Sequence, residues 1–113
     1  MITAVVGSRT FTDYDFLESH LDEHPITEII SGGAAGADTL AHEYATANEI
    51  PFRAFEPDWR RGKRAGLDRN SDIVGAAEMI IAFWDGESRG TADTIRKARK
   101  SGKPTYVIDV SGQ

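Results

Sequence analysis

Cysteine is missing from the 113 residues, which removes disulfides, thiolate zinc sites and cysteine nucleophiles together. No apolar run approaches the ~20 residues that a membrane span requires, and the first residues lack the charged-then-apolar layout of a signal peptide. The expectation is a cytoplasmic protein with no membrane contact. Cations are outnumbered: 13 Lys+Arg against 18 Asp+Glu give a formal net charge of −5. That balance argues against nucleic acid as the partner of the whole surface, without excluding a local basic pocket. Two phosphate signatures are also lacking. Gly7 stands alone after the first apolar run, so there is no Gly-x-Gly-x-x-Gly dinucleotide fingerprint. Gly62-Lys63 is followed by Arg64 rather than Ser or Thr, so there is no Walker-type loop either. Nicotinamide-dependent dehydrogenation and P-loop ATP hydrolysis are thereby disfavoured.

What is present is ordinary globular composition, 40% hydrophobic and 27% charged, in a length expected to form one domain over 1–113. Ile2 to Val6 reads as a buried strand ending at Gly7-Ser8-Arg9. Asp13 is a suitable cap for a helix from Tyr14 to about Glu23, with Phe16, Leu17 and Leu21 inward and Pro25 ending it. Thr27 to Ile30 is a second strand. It runs through Ser31-Gly32-Gly33-Ala34-Ala35-Gly36 into a helix from Ala37, with Leu40, Ala41, Tyr44 and Ala45 on one face. Phe52 to Phe55 reads as a third strand, Pro57 to Gly66 as a longer loop, and about Leu67 to Ala76 as a helix. Glu78 to Trp84 is a fourth strand, Asp85 to Gly90 a loop, and Thr91 to Ser101 a helix closed by Gly102. Pro104 to Ile108 supplies the fifth strand. Phe52, Phe55, Phe83 and Tyr106 are expected in the core.

Strands alternating with helices at this spacing imply an α/β, Rossmann-like three-layer domain: a five-stranded parallel sheet with helices on both faces. Right-handed crossovers leave 3-2-1-4-5 as the strand order, which puts a switch point between the first and fourth strands. Ligands in such folds bind outside the carboxyl ends of strands at that crevice. The loops opening there begin at Gly7 and Asp85, with the loop from Ser31 beside them.

The unusual residues fall on that edge. Gly32, Gly33 and Gly36 allow a ligand close to the main chain, and the helix that follows favours an anion; a tight β–α turn with glycines kept for packing is the plain alternative. Gly7, Ser8 and Arg9 could together hold a phosphate or carboxylate. Asp38 suits the helix dipole but would repel a phosphate there, so it either faces ribose hydroxyls or a cation, or merely caps. Trp59 could stack on a base, and Lys63 or Arg69 could hold phosphate, with Asn70 beside Arg69. Arg60, Arg61 and Arg64 read as a solvated loop, too small to serve as a nucleic-acid groove unaided. Ser88, Gly90 and Thr91 offer hydroxyl and amide donors to an anion, and Asp85 could accept from a ribose or act as a base; alternatively Ser88 or Thr91 only caps the helix. His20 and His24 are four apart on the first helix, but no third ligand accompanies them, so no metal is expected. His42 reads as a helix-surface residue. No cofactor is called for.

Val5-Val6-Gly7-Ser8-Arg9, Ser31-Gly32-Gly33 with Gly36-Ala37-Asp38, Pro57-Asp58-Trp59 with Gly62-Lys63 and Ala65-Gly66, Arg69-Asn70, Ala82-Phe83-Trp84-Asp85-Gly86 and Ser88-Arg89-Gly90-Thr91 stand in one order. Together they resemble the YspA/YpsA-related branch of the SLOG superfamily, the Rossmann-like group named for Smf/DprA and the LOG proteins. The resemblance implies binding of nucleotides or nucleotide-derived ligands, in sensing or processing. The LOG enzymes, which split a nucleoside monophosphate into base and ribose phosphate, have glycine loops similar to Gly32-Gly33-Ala34-Ala35-Gly36 and to Arg89-Gly90-Thr91. Their arginine resembles Arg69, while their glutamate falls here on Thr94. A neutral hydroxyl neither steadies an oxocarbenium charge nor serves as a base near neutral pH, and Asp93 lies about 100° around the helix.

The expectation is therefore binding, more than catalysis, of a phosphate-bearing nucleotide or nucleotide-derived small molecule. One alternative is an N-glycosidic phosphoribohydrolase using Arg69 with Asp85 or Asp93. Another is a DNA-binding module like DprA using the loop from Arg60 to Arg64. Homo-oligomerisation is left open.

Overall fold

The computed structural model describes residues 1–112. Five strands form one all-parallel sheet: β1 (Ile2–Gly7), β2 (Glu28–Ser31), β3 (Phe52–Ala54), β4 (Met79–Trp84) and β5 (Thr105–Asp109), in the order β3-β2-β1-β4-β5. Four α-helices cover it: α1 (Tyr14–Leu21), α2 (Ala37–Ala47), α3 (Ala65–Ala76) and α4 (Arg89–Lys100). The expected sheet, strand order and Rossmann-like layering are what the structure has.

The two-residue period of a strand divides the core between the sheet's faces. Val5, Ile29, Ile81 and Phe83 point to the side covered by α1 and α2, packing with Leu17, Leu21, Ala41 and Tyr44. Ala4, Val6, Ile30, Ile80 and Ala82 point to the side of α3 and α4, packing with Ile73, Val74, Ile95 and Ala98. The central strands are buried on both faces, so they read as continuous apolar runs rather than as alternation.

Helix ends follow local chemistry. The Asp13 carboxylate accepts from the Phe16 amide at 3.1 Å and starts α1. Gly102, at φ 73°, ends α4. The Lys103 ammonium reaches back to the carbonyls of Val74 and Ala77 at the end of α3, where a cation suits the dipole.

Several expectations need correction. Trp59–Arg64 is a 3-10 segment rather than an open loop, capped by Asp58 accepting from the Arg60 amide at 3.2 Å and interrupted at Gly62 (φ 78°); α3 then begins at Ala65, two residues early. Helix α1 stops at Leu21, and β3 stops at Ala54. Tyr106 is not core. It is 46% exposed because β5 is an edge strand, and its ring packs on His24 at 4.7 Å. Phe83 is fully buried, whereas Phe52 and Phe55 on and beside the other edge strand are half-buried.

Candidate functional site

The loops after β1, β2 and β4 open on a shared cleft of about 250 Å³ at the carboxyl end of the sheet. Val6 and Ile73 form part of its apolar floor, and Arg9, Asp38, Arg69, Asn70, Ser88 and Thr91 supply its polar groups.

The glycines have different roles. A Cβ on Gly7 would lie 2.3 Å from the Phe83 carbonyl oxygen and 2.7 Å from the Ala37 Cβ, so glycine lets β1 pass between β4 and α2. Gly36 has φ 74°, and a Cβ there would lie 2.3 Å from the Ser8 carbonyl oxygen. It packs against the β1 loop instead of opening to a ligand. The Ala37 amide at the start of α2 donates to that same Ser8 carbonyl at 3.2 Å. The Ala34 amide donates to Asp38 Oδ2 at 3.1 Å. The loop before α2 thus spends donors internally, and the plain reading of Gly36 as a packing glycine is the better one. Gly32 and Gly90 do line the cleft, and Gly33 lines its neighbour.

Ser8 and Asp85 are also engaged. Ser8 is buried, and its Oγ accepts from the Asp85 amide at 3.0 Å, tying the ends of β1 and β4 together. Asp85 Oδ1 accepts from the amides of Glu87 and Ser88, each at 2.9 Å. The Ser88 and Glu87 amides hold its carboxyl below the usual range, so it remains an anion that organises its own loop and is unsuited to act as a base near neutral pH. It does not line the cleft.

Arg69 projects from α3 across the cleft. Its Nη1 donates to the Gly32 carbonyl at 2.7 Å, and its Nε to Asn70 Oδ1 at 3.0 Å. Asn70 Nδ2 donates in turn to the Gly90 carbonyl at 3.2 Å and to Asp93 Oδ2 at 3.1 Å, linking α3 to the start of α4. Burial lowers the Arg69 guanidinium from its ordinary value; Asp38 opposes this, while the charge of Arg9 adds to it. Two cations therefore stand close together on the cleft wall. Arg9 is exposed and makes no ion pair among the described residues.

Asp38 is 7% exposed, and its Oδ1 has no hydrogen-bond partner; the fully buried Ser31 hydroxyl also makes no well-formed bond. Burial pushes the Asp38 carboxyl up, against the Ala34 amide, the Ser31 hydroxyl and the Arg69 charge. Ser31 lies beneath the cleft rather than in its lining. At the other wall, Ser88 Oγ and Thr91 Oγ1 are 3.1 Å apart. The Ala92 amide bonds to the Ser88 carbonyl at 3.1 Å as the first turn of α4 forms. The amides of Arg89, Gly90 and Thr91 precede it, at the end of the helix that attracts anions.

Trp59 is 67% exposed and lines a second space beside the first. Lys63 lines neither. His20 packs on Phe16 at 4.7 Å, and His42, exposed on α2, stacks on Phe52 at 4.4 Å. Among the described residues, no three His, Cys, Asp or Glu side chains cluster as a metal site, and no helix is long and apolar enough to cross a membrane.

Thr94 also lines the cleft, its hydroxyl donating to the Gly90 carbonyl at 3.1 Å. Asp93 turns away to Asn70, Lys97 and Arg96. Sequence reasoning did not single out Ala34, Glu56 or Ile73. Ile73 was within reach, because a residue four after Arg69 must lie on the same helix face. Glu56 and Pro57 follow β3, whose end opens on the same edge of the sheet.

Among solved structures, the chain is similar to DNA processing protein A of Streptococcus pneumoniae, with a TM-score of 0.77 and 24% identity over 93% of this chain and 49% of that one. It is also similar to DNA processing protein A of Helicobacter pylori, whose structure concerns its single-stranded DNA binding mode: TM-score 0.65, 24% identity, 95% of this chain and 64% of that one. The chain thus spans about half and just under two thirds of these proteins, and the likeness shows the fold. The Gene 61 protein of Mycobacterium phage D29 is 35% identical over 113 residues, covering 88% of this chain and 90% of that protein. Residues 1–62 match the family described as YAcAr. The chain belongs to this YspA, cpYpsA-related SLOG family.

Proposed function

We propose that the protein binds a phosphate-bearing nucleotide or nucleotide-derived small molecule in the cleft, in sensing or processing it. The observation that carries this reading is the convergence of Arg9 and Arg69 on one wall with the start of α4 on the other. Arg9 has no ion-pair partner among the described residues. Arg69 faces only Asp38, whose charged form burial disfavours, so the two like charges favour an anion between them. The cleft lies between β1 and β4, where the strand order reverses. A LOG-like phosphoribohydrolase is less well supported. Thr94 stands in the glutamate's place, Asp85 is an anion bound to its own loop, and Asp93 is shared among Asn70, Lys97 and Arg96.

The test is a thermal-shift and calorimetric panel of mono-, di- and cyclic nucleotides and ADP-ribose. Stabilisation by at least one, reduced in Arg9→Ala, is expected; no stabilisation by any member removes the reading.

Single-stranded DNA is a second reading, favoured by one charge feature. Of the 13 Lys+Arg, only Arg9 and Arg53 precede Arg60, and four of the rest, Arg60, Arg61, Lys63 and Arg64, stand on the 3-10 segment that leads from Trp59, beside the cleft, into α3. The likeness to DNA processing proteins adds to it. Oligonucleotide binding that falls steeply between low and physiological salt would support this reading. A gel shift insensitive to salt, or none, would remove it.

A further inference from the structure

The kind of phosphate the cleft takes can be read one step further, on the footing of the small-molecule reading above. The cleft does not end at its two arginines. A second space of about 370 Å³ shares Arg9, Gly32, Ala34 and Arg69 with the first, of about 250 Å³. The two spaces meet across the arginine pair, so an anion drawn there has room on either side. A terminal phosphate would leave one side empty.

The two sides differ in chemistry. Toward α4 the first space offers Asn70, Thr91 and the main chain at Gly90. On the other side Trp59 and Pro57 form an apolar wall, with the Glu56 carboxyl beside them. Trp59 is 67% exposed, a large aromatic surface without a protein partner across its face. An exposed indole beside two guanidinium groups suits a base joined to a phosphate.

We propose that the ligand's phosphate is internal, a diester or a pyrophosphate joining two moieties, with a base on one of them stacked against Trp59. The other moiety reaches toward Gly90 and Thr91. Arg9 and Arg69 take the charge between them, and Arg69 is held for this by its bonds to Gly32 and Asn70.

Calorimetry with four ligands tests this: ribose 5-phosphate, AMP, adenylyl-(3′→5′)-adenosine and diadenosine pyrophosphate. One of the last two is expected to bind about tenfold or more tightly than AMP, and whichever does so tells diester from pyrophosphate. Trp59→Ala is expected to weaken every base-bearing ligand about tenfold, with Trp59→Phe restoring most of the loss. Trp59 is exposed, so neither variant disturbs the core. AMP binding as tightly as both two-sided ligands would overturn the proposal and leave the nucleotide reading standing. Base-bearing ligands that ignore Trp59→Ala would also overturn it. Failure of all four to bind would overturn it too, and the nucleotide reading would then fall only if the wider panel also gave no stabilisation.

Discussion

Arg69 Nη1 and the Gly32 carbonyl meet at 2.7 Å across 37 residues of sequence, joining α3 to the loop after β2. The contact depends on glycine at both levels: a Cβ on Gly32 would lie 2.5 Å from that same Nη1 and 3.0 Å from Asp38 Oδ2. One small residue thus lets a cation, a buried carboxylate and the main chain share a wall of the cleft. Arg69→Ala removes the bonds to Gly32 and Asn70 and leaves Asp38 buried without its counter-charge. A loss of about 2–3 kcal/mol is expected at neutral pH, read from urea unfolding midpoints. The loss should shrink in acid, where Asp38 takes up a proton and no longer needs the arginine.

Asp38 itself should make the protein less stable as pH rises. Its carboxyl is pushed up by burial, so the folded state holds a proton that the unfolded chain releases. That contribution is complete below the ordinary Asp range and is lost as pH climbs through the raised value. Asp38→Asn keeps an acceptor for the Ala34 amide and removes the titration. Its unfolding free energy should be flatter between pH 4 and pH 7, and the variant should gain on the wild type as pH rises. Parallel curves for the two proteins would show that Asp38 does not titrate in this window.

The sheet was readable from sequence because its signal is strong. Ile2–Val6 and Met79–Trp84 are apolar on both faces, and the helices between them fix the crossovers. The convergence of the β1, β2 and β4 loops follows from strand order alone. Three things did not follow from it. Gly36 and Gly33 look alike in sequence, but only the backbone approach of Ser8 and Arg9 shows that Gly36 is sealed. Asp85 looked like a site acid because its loop faces the crevice, whereas its carboxylate turns to the amides of Glu87 and Ser88. Tyr106 resembled core from its apolar strand pattern: the order 3-2-1-4-5 put β5 at the edge but did not say how far its faces stay open to water.

The glycines themselves offer a contrast. Gly36→Ala places a side chain at φ 74°, 2.3 Å from the Ser8 carbonyl oxygen, where the neighbouring atoms are backbone. A loss of at least about 3 kcal/mol is expected from strain and overpacking together. Gly75→Ala, on an exposed turn of α3 with nothing within 4 Å, should raise stability by about 0.5–1 kcal/mol. Thermal melts of the two variants check both signs, and a mild effect at Gly36 would contradict the packed role given to it.

Asp93 should act on stability in the sense opposite to Asp38. Burial works against its charge, but hydrogen bonds from Lys97, Asn70 and Arg96 hold the carboxyl below its ordinary value. Its side chain is 10% exposed and joins α3 to α4 through Asn70 Nδ2 at 3.1 Å. The stabilisation is present above the ordinary carboxyl range and is lost as pH falls through the lowered value. Asp93→Asn keeps an acceptor for Asn70 but gives up both ion pairs. At pH 7 it should be about 1–2 kcal/mol less stable than the wild type, since a mostly buried network is worth more than a surface pair. In acid the wild-type carboxylate becomes protonated and the two proteins should converge. Urea midpoints at pH 7, 5 and 3 measure the difference. A gap as large at pH 3 as at pH 7 would mean that Asp93 contributes through shape alone, and not through the charge that orders Asn70 at the start of α4.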